Sequence, residues 1–176
     1  MGGGKMKTKF IAVLVTAIAF LGLPILVEAE TQKARLYNYV TEMHVMPIGF
    51  AKAPANVIVE RRGVAEYENG EVATYLMRGA GKVTPKGGTM EGFSQYTFND
   101  KSTNVVKWKA QLTKKEGQQQ IKVSGKGTYV NGTGRFEGIQ GDITFTGKYV
   151  TPYDKEKGML GDLIIDVTSN YTLPSK

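Results

Sequence analysis

Residues 119–150 read QQIKVSGKGTYVNGTGRFEGIQGDITFTGKYV and contain the strongest strand pattern of the chain. Before the glycine-rich break, Ile121, Val123 and Tyr129 fall on one face while lysine, serine and threonine fall on the other. Alternation with a period of two indicates a half-buried β-strand rather than a helix. The stretch therefore predicts two sequential antiparallel strands, at about 119–130 and 141–150.

The same composition continues through residues 30–176, where Thr, Val, Ile, Tyr and Phe are interrupted by turn residues. The pairs Asn69-Gly70 and Asn131-Gly132 predict hairpins, because type I′ turns need positive φ at both central positions. Short loops between eight strands in about 140 residues predict a closed barrel, which leaves no free sheet edge. We therefore expect an all-β protein, a single eight-stranded antiparallel barrel. The other strands are expected at about 36–46, 56–67, 71–80, 88–98, 104–113 and 161–172.

The first 29 residues have the pattern of a secretory signal peptide. Three lysines within residues 5–9 precede an apolar run over 10–27, and the small-residue site Val27-Glu28-Ala29 follows. The apolar run is also long enough for an uncleaved membrane anchor, but Pro24 interrupts it and no basic cluster follows. We expect a signal peptide over 1–29 and a barrel domain over 30–176. The mature protein is then periplasmic or secreted, with no stable membrane anchor.

Charge and cysteine content exclude several classes of function. The formal net charge of +7 falls to +5 on cleavage, since three lysines and one glutamate leave. The remaining charges are scattered singly, which is typical of a solvated surface and predicts no nucleic-acid partner. The absence of cysteine excludes disulfides, thiolate metal sites and cysteine nucleophiles, and a single histidine excludes a histidine-rich metal site. We expect no metal and no cofactor.

Two polar pairs occur at spacings of two residues, which places each pair on one face of its strand. Glu42 and His44 are the candidate catalytic pair, because a carboxylate beside an imidazole can act in acid/base chemistry. The alternative is a hydrogen-bonded pair at the barrel mouth. Strict alternation puts both on the face that runs from 38 to 46. The other pair, Glu60 and Arg62, is expected to be a surface ion pair.

Apolar residues of the middle strands are the candidate ligand-binding residues. Tyr75 and Met77 share one face of the third strand, and Tyr96 and Phe98 share one face of the fourth. With Trp108 they form a set that is able to line a cavity, although such residues also serve as ordinary core.

Residues 132–141 form the string Gly-Thr-Gly-Arg-Phe-Glu-Gly-Ile-Gln-Gly. The string is followed by no long helix and no Gly-Lys-Ser/Thr element, so it does not predict a nucleotide loop. We expect an irregular corner with Phe136 in the core. The same string resembles a signature of the allene oxide cyclase and dirigent barrel superfamily, and bacterial exported members are the most similar in layout.

This resemblance implies an eight-stranded, calycin-type barrel with a mostly apolar lumen, assembled as a homotrimer. Plant members bind reactive hydrophobic intermediates and direct their ring closure or coupling without a cofactor. The cyclases place a carboxylate and an amide inside the barrel, two positions apart on the first strand. Glu42 and His44 are the nearest equivalents here, with imidazole in place of the amide, and the lumen cysteine of those enzymes has no counterpart.

The function expected first is an exported barrel that binds a small hydrophobic molecule in its lumen. The alternative is a cofactor-independent isomerase or cyclase in which Glu42 and His44 move protons. A third hypothesis is an interaction module that uses the outer face. An outward Glu42 favours binding, whereas an inward Glu42 beside His44 and a cavity favours chemistry.

We predict that protein recovered from an exporting host begins at Glu30, because signal peptidase cleaves after the small residue at 29. N-terminal sequencing of the purified protein measures this directly. A first residue of Met1 or Met6 would contradict the prediction and favour a membrane anchor.

Overall fold

The fold is seen in a computed structural model that describes residues 29–49, 54–84, 86–114, 120–151 and 161–174. Each strand pairs in antiparallel fashion with the next, and the last pairs with the first, so the sheet closes into a barrel. The strands are β1 (Glu30–Pro47), β2 (Ala55–Tyr67), β3 (Val72–Thr84), β4 (Gly87–Phe98), β5 (Thr103–Lys114), β6 (Ile121–Thr133), β7 (Gln140–Tyr149) and β8 (Leu163–Thr172), with a 3-10 turn at Gly134–Phe136 between β6 and β7.

The predicted fold class, an all-β eight-stranded antiparallel barrel, is confirmed. All eight strands lie where they were expected, and the largest difference is at β1, which begins at Glu30. Its early residues are ordered by pairing with the end of β8, where Glu30 lies opposite Tyr171. No helix within the described residues is long and apolar enough to cross a membrane. The expected signal peptide lies outside the described residues, except for Ala29.

The two Asn-Gly pairs behave differently. Asn69-Gly70 forms the turn between β2 and β3, but only Gly70 has positive φ, at 84°, so the turn is not type I′. The hairpin predicted at Asn131-Gly132 is wrong, because both residues belong to β6 and pair with β5. The chain reverses after them, over the 3-10 turn. Pairing with a partner strand overrides the local turn preference here.

A β-bulge interrupts the register between β1 and β2. Val40 pairs with Arg61, and Glu42 pairs with Glu60, so Thr41 is the extra residue. One extra residue reverses which side chains face inward along the rest of the strand. The single face expected to run from 38 to 46 is therefore wrong beyond Val40.

Inward side chains from all eight strands form one apolar core. The indole of Trp108 lies across Gly79 of β3 and Gly92 of β4. A Cβ atom at Gly79 would lie 2.7 Å from the indole ring, and a Cβ atom at Gly92 would lie 2.9 Å from it. Glycine at these positions therefore makes room for a large side chain inside a barrel of fixed width.

An aromatic cluster closes the end of the barrel where β6 turns into β7. Phe136 is only 5% exposed, as expected for a core residue, and its ring centroid lies 4.8 Å from that of Phe98. Phe98 in turn lies 5.4 Å from Tyr67. The Arg135 guanidinium covers Phe98 at 4.6 Å and donates a 2.6 Å hydrogen bond to Glu71. We call these five residues the aromatic plug.

We predict that Phe136→Ala lowers the free energy of unfolding by about 3–5 kcal/mol, because it leaves a cavity in the plug. Phe93, which is half exposed on the outer face, is the control residue. Phe93→Ala should cost no more than about 0.5 kcal/mol. Urea denaturation of the three proteins measures both differences, and equal losses in the two variants would contradict the buried role of Phe136.

Candidate functional site

The barrel lumen contains a cavity of about 50 Å³ that every strand helps to line. Its walls are mainly aliphatic, aromatic and methionine side chains, and most of the few polar groups lie on β2, β3 and β4. A space of this size holds about four water-sized groups. It is smaller than the range of about 300–1,000 Å³ for drug-sized ligands, so the preformed space suits a small molecule.

Four of the five predicted ligand-binding residues line this cavity. They are Tyr75 and Met77 of β3, Tyr96 of β4 and Trp108 of β5. Phe98 does not line the cavity, although it is buried, because it belongs to the aromatic plug. It faces inward two residues beyond Tyr96, where the strand has already reached the closed end.

Among the described residues that line the cavity, Arg61 is the charged one, and its side chain is almost completely buried, at 1% exposure. Its Nε donates to Asn38 Oδ1 at 3.1 Å. Its two terminal nitrogens donate to the carbonyl of Gly161, which precedes β8, with the Nη1 bond at 3.1 Å. Within the described part of the chain, no carboxylate lies within 4 Å of the guanidinium. The cation is therefore held by neutral acceptors.

The electrostatics of the lumen follow from this burial. Loss of water lowers the pKa of the Arg61 guanidinium, but arginine stays protonated in proteins. The ring of Tyr149 lies 5.4 Å from Arg61 Cζ and presents its π electrons to the cation. Burial raises the pKa of Tyr75 to about 12, and its hydroxyl lies 3.1 Å from Ser94 Oγ. The lumen is therefore positively charged near neutral pH.

Two buried hydrogen-bond donors of the barrel interior have no partner among the described residues. They are Nδ2 of Asn38 and Nε1 of Trp108. Trp108 lines the cavity, and Asn38 holds Arg61 through its other amide atom. A buried donor without a partner is costly, so a bound acceptor would satisfy groups that the chain leaves unpaired.

Glu42 and His44, the predicted catalytic pair, lie on the outer surface. Their side chains are joined by a 2.8 Å hydrogen bond, and each is 65% exposed. The bulge at Thr41 turns both away from the lumen. The structure thus brings the pair together, as the alternative of a hydrogen-bonded polar pair predicted, but away from the cavity.

Glu60 is the centre of an outer polar network. It accepts hydrogen bonds from Arg78 Nε at 2.8 Å, from Arg62 Nε at 3.1 Å and from the hydroxyl of the bulged Thr41 at 3.0 Å. These donors, with Arg78 the strongest, lower the pKa of Glu60 to about 2. The surface ion pair expected between Glu60 and Arg62 is therefore present, and Arg78 and Thr41 extend it.

Arg61 is absent from the site residues expected above, although the sequence contains a signal for it. With Glu60 and Arg62 on the outer face, alternation places Arg61 on the same face as Val57 and Val59. A charged residue on an otherwise apolar strand face is uncommon, because buried arginines are rare. That contrast would have identified it.

No family model matches the chain, and no curated protein is similar to it. The site is therefore interpreted from its own geometry. Within the described residues, no three histidine or carboxylate side chains come together as a metal-ligand set. The geometry defines a small cavity inside a closed β-barrel, with apolar walls and a buried arginine.

We predict that Glu60 contributes to the pH dependence of stability. Because the folded-state pKa of Glu60 is lowered from 4.5 to about 2, its contribution is complete above pH of about 4.5 and is lost as pH falls toward about 2. Between pH of about 4.5 and pH of about 2, the melting temperature of Glu60→Gln should therefore fall less than that of the wild type. Glu91, whose single ion pair with Lys109 is well exposed, supplies the control Glu91→Gln. Identical acid profiles for both variants would contradict the prediction.

Proposed function

We propose that this protein is an exported barrel that binds a small, largely apolar molecule in its lumen. The observation that carries the proposal is the apolar cavity with a few polar groups at defined positions. This combination is the usual composition of a small-molecule site. Eight-stranded barrels are wide enough inside to hold one small ligand.

The lining suits a ligand that is somewhat larger than the present space. Met77 and Met90 both line the cavity. Methionine is unbranched and has three rotatable bonds, so it adapts its shape to irregular contents at low cost. Aromatic walls from Tyr96 and Trp108 offer flat apolar surface for the same ligand.

Binding fits the geometry better than the isomerase or cyclase alternative. Acid/base catalysis needs the proton-transferring group within hydrogen-bond reach of the substrate. Glu42 and His44 lie outside the barrel, and the described residues that line the cavity include no carboxylate and no imidazole. The binding hypothesis needs no such group.

The expected export and the expected homotrimer belong to the same proposal. The signal-peptide pattern supports a periplasmic or secreted location. On the outer face of β1 and β2, Tyr37 and Tyr39 are 42% and 52% exposed, and Val64 lies opposite Tyr37. Such exposed apolar side chains support an oligomer that packs through this face.

We predict that butan-1-ol, hexan-1-ol and octan-1-ol bind in the lumen and change the fluorescence of Trp108, the single tryptophan of the chain. Ala110 lines the cavity, so Ala110→Leu should fill the space and weaken binding by about tenfold or more. Ala80 is exposed on the outer face, so Ala80→Leu should bind like the wild type.

Thermal melts of Ala110→Leu and Ala80→Leu check that each variant remains folded. Native mass spectrometry of protein from its own host supplies an independent test, since a small molecule should accompany the wild type and be reduced in Ala110→Leu. No binding of any alcohol and no accompanying molecule would contradict the proposed function.

A further inference from the structure

Several hydrogen-bond donors of the barrel interior, including two of Arg61, have no acceptor among the described residues. Asn38 Nδ2 and Trp108 Nε1 are donors without a partner in the described chain. The guanidinium uses three hydrogen bonds to Asn38 and Gly161, which leaves a further N–H on each terminal nitrogen. A ligand that supplies acceptor atoms complements this arrangement, whereas a further donor does not.

The charge of Arg61 leads to the same requirement. A buried cation without a carboxylate partner is unfavourable, because neutral acceptors replace only part of its hydration. Glu60, the carboxylate next to Arg61 in sequence, lies on the outer face and is engaged in contacts there. The exposed Asp162, next to Gly161, raises the pKa of Arg61 through its charge but makes no ion pair with it. A negative charge in the lumen would therefore compensate a cation that no described carboxylate contacts.

We propose that the lumen ligand is a small amphipathic anion, whose oxyanion group binds Arg61 and whose apolar part lies against Met77, Tyr96 and Trp108. This inference rests on the proposed function and specifies the chemical class of the ligand. A carboxylate is the simplest member of the class, because its oxygens accept charge-assisted hydrogen bonds from a guanidinium. Because the whole cavity holds about four water-sized groups, an apolar part of more than a few groups requires the methionines to move.

Matched acids and alcohols test the charge separately from the apolar contact. Butanoate, hexanoate and octanoate are titrated against Trp108 fluorescence beside the alcohols of the same chain lengths. In the wild type, each acid should bind at least about tenfold more tightly than its alcohol, because hydrogen bonds to a charged group are stronger than neutral ones.

Arg61→Met removes the cation and keeps an apolar side chain of similar length. The variant should bind each acid no more tightly than its alcohol. A thermal melt shows whether the variant folds, since the loss of Arg61 leaves Asn38 Oδ1 and the Gly161 carbonyl without this donor. Arg62→Met is the matched control, since Arg62 is the next residue of β2 and lies on the outer face. It should keep the full preference for acids.

A measurement on the wild type covers the case in which Arg61→Met does not fold. The NMR signal of the Arg61 Nε–H group should shift on addition of hexanoate and stay in place with hexan-1-ol, whereas the Arg62 signal should not respond to either.

The outcomes separate this inference from the proposed function. If the alcohols bind in the lumen but the acids bind no better, or if Arg61→Met keeps the preference for acids, the inference is overturned and the binding barrel stands. An Arg61 signal that ignores hexanoate overturns it as well. If neither series binds, the proposed function fails, and the inference fails with it.

Discussion

Closure of the sheet through the β1–β8 pairing is the constraint on which the rest of this structure depends. A closed barrel has no free edge, so the backbone hydrogen bonds continue around the ring and the width of the interior is set by the strands. The inward side chains must then fill a fixed volume. Gly79 and Gly92 have no side chains, which leaves room for the indole of Trp108. Phe136 and its aromatic neighbours close one end of the barrel. The cavity of about 50 Å³ is the space that remains.

Charge is distributed unequally across the barrel wall. On the outer face, Glu60 accepts hydrogen bonds from three side chains. Arg61, the next residue, lies inside the barrel and donates to neutral partners. The bulge at Thr41 contributes to this separation, because it turns Glu42 outward. It also brings the hydroxyl of Thr41 within hydrogen-bond distance of Glu60. A buried cation costs folding stability. Such a cost is typical of residues that serve binding rather than packing, since sites commonly lose some stability in favour of function.

Much of the candidate site could be predicted from the sequence, and each exception has a physical reason. Tyr75, Met77, Tyr96 and Trp108 were placed correctly, because alternation within a regular strand assigns the inward face. Phe98 was assigned to the cavity although it belongs to the plug, because alternation gives the direction of a side chain and not its depth along the barrel. The outward position of Glu42 and His44 follows from an extra residue in one strand, which alternation by itself does not reveal.

Turn chemistry and alternation, read from the sequence, were enough to predict the strand count, the approximate strand limits and the inward face of β6, because both are local properties of the chain. Tertiary structure decided the rest. Pairing with β5 extended β6 through Asn131-Gly132 and overrode a strong turn signal. The register with β2 created the bulge and set Asn38 beside Arg61, and closure with β8 brought the carbonyl of Gly161 to the same guanidinium. Contacts of this kind depend on partner strands far away in the sequence, and a local pattern carries no information about them.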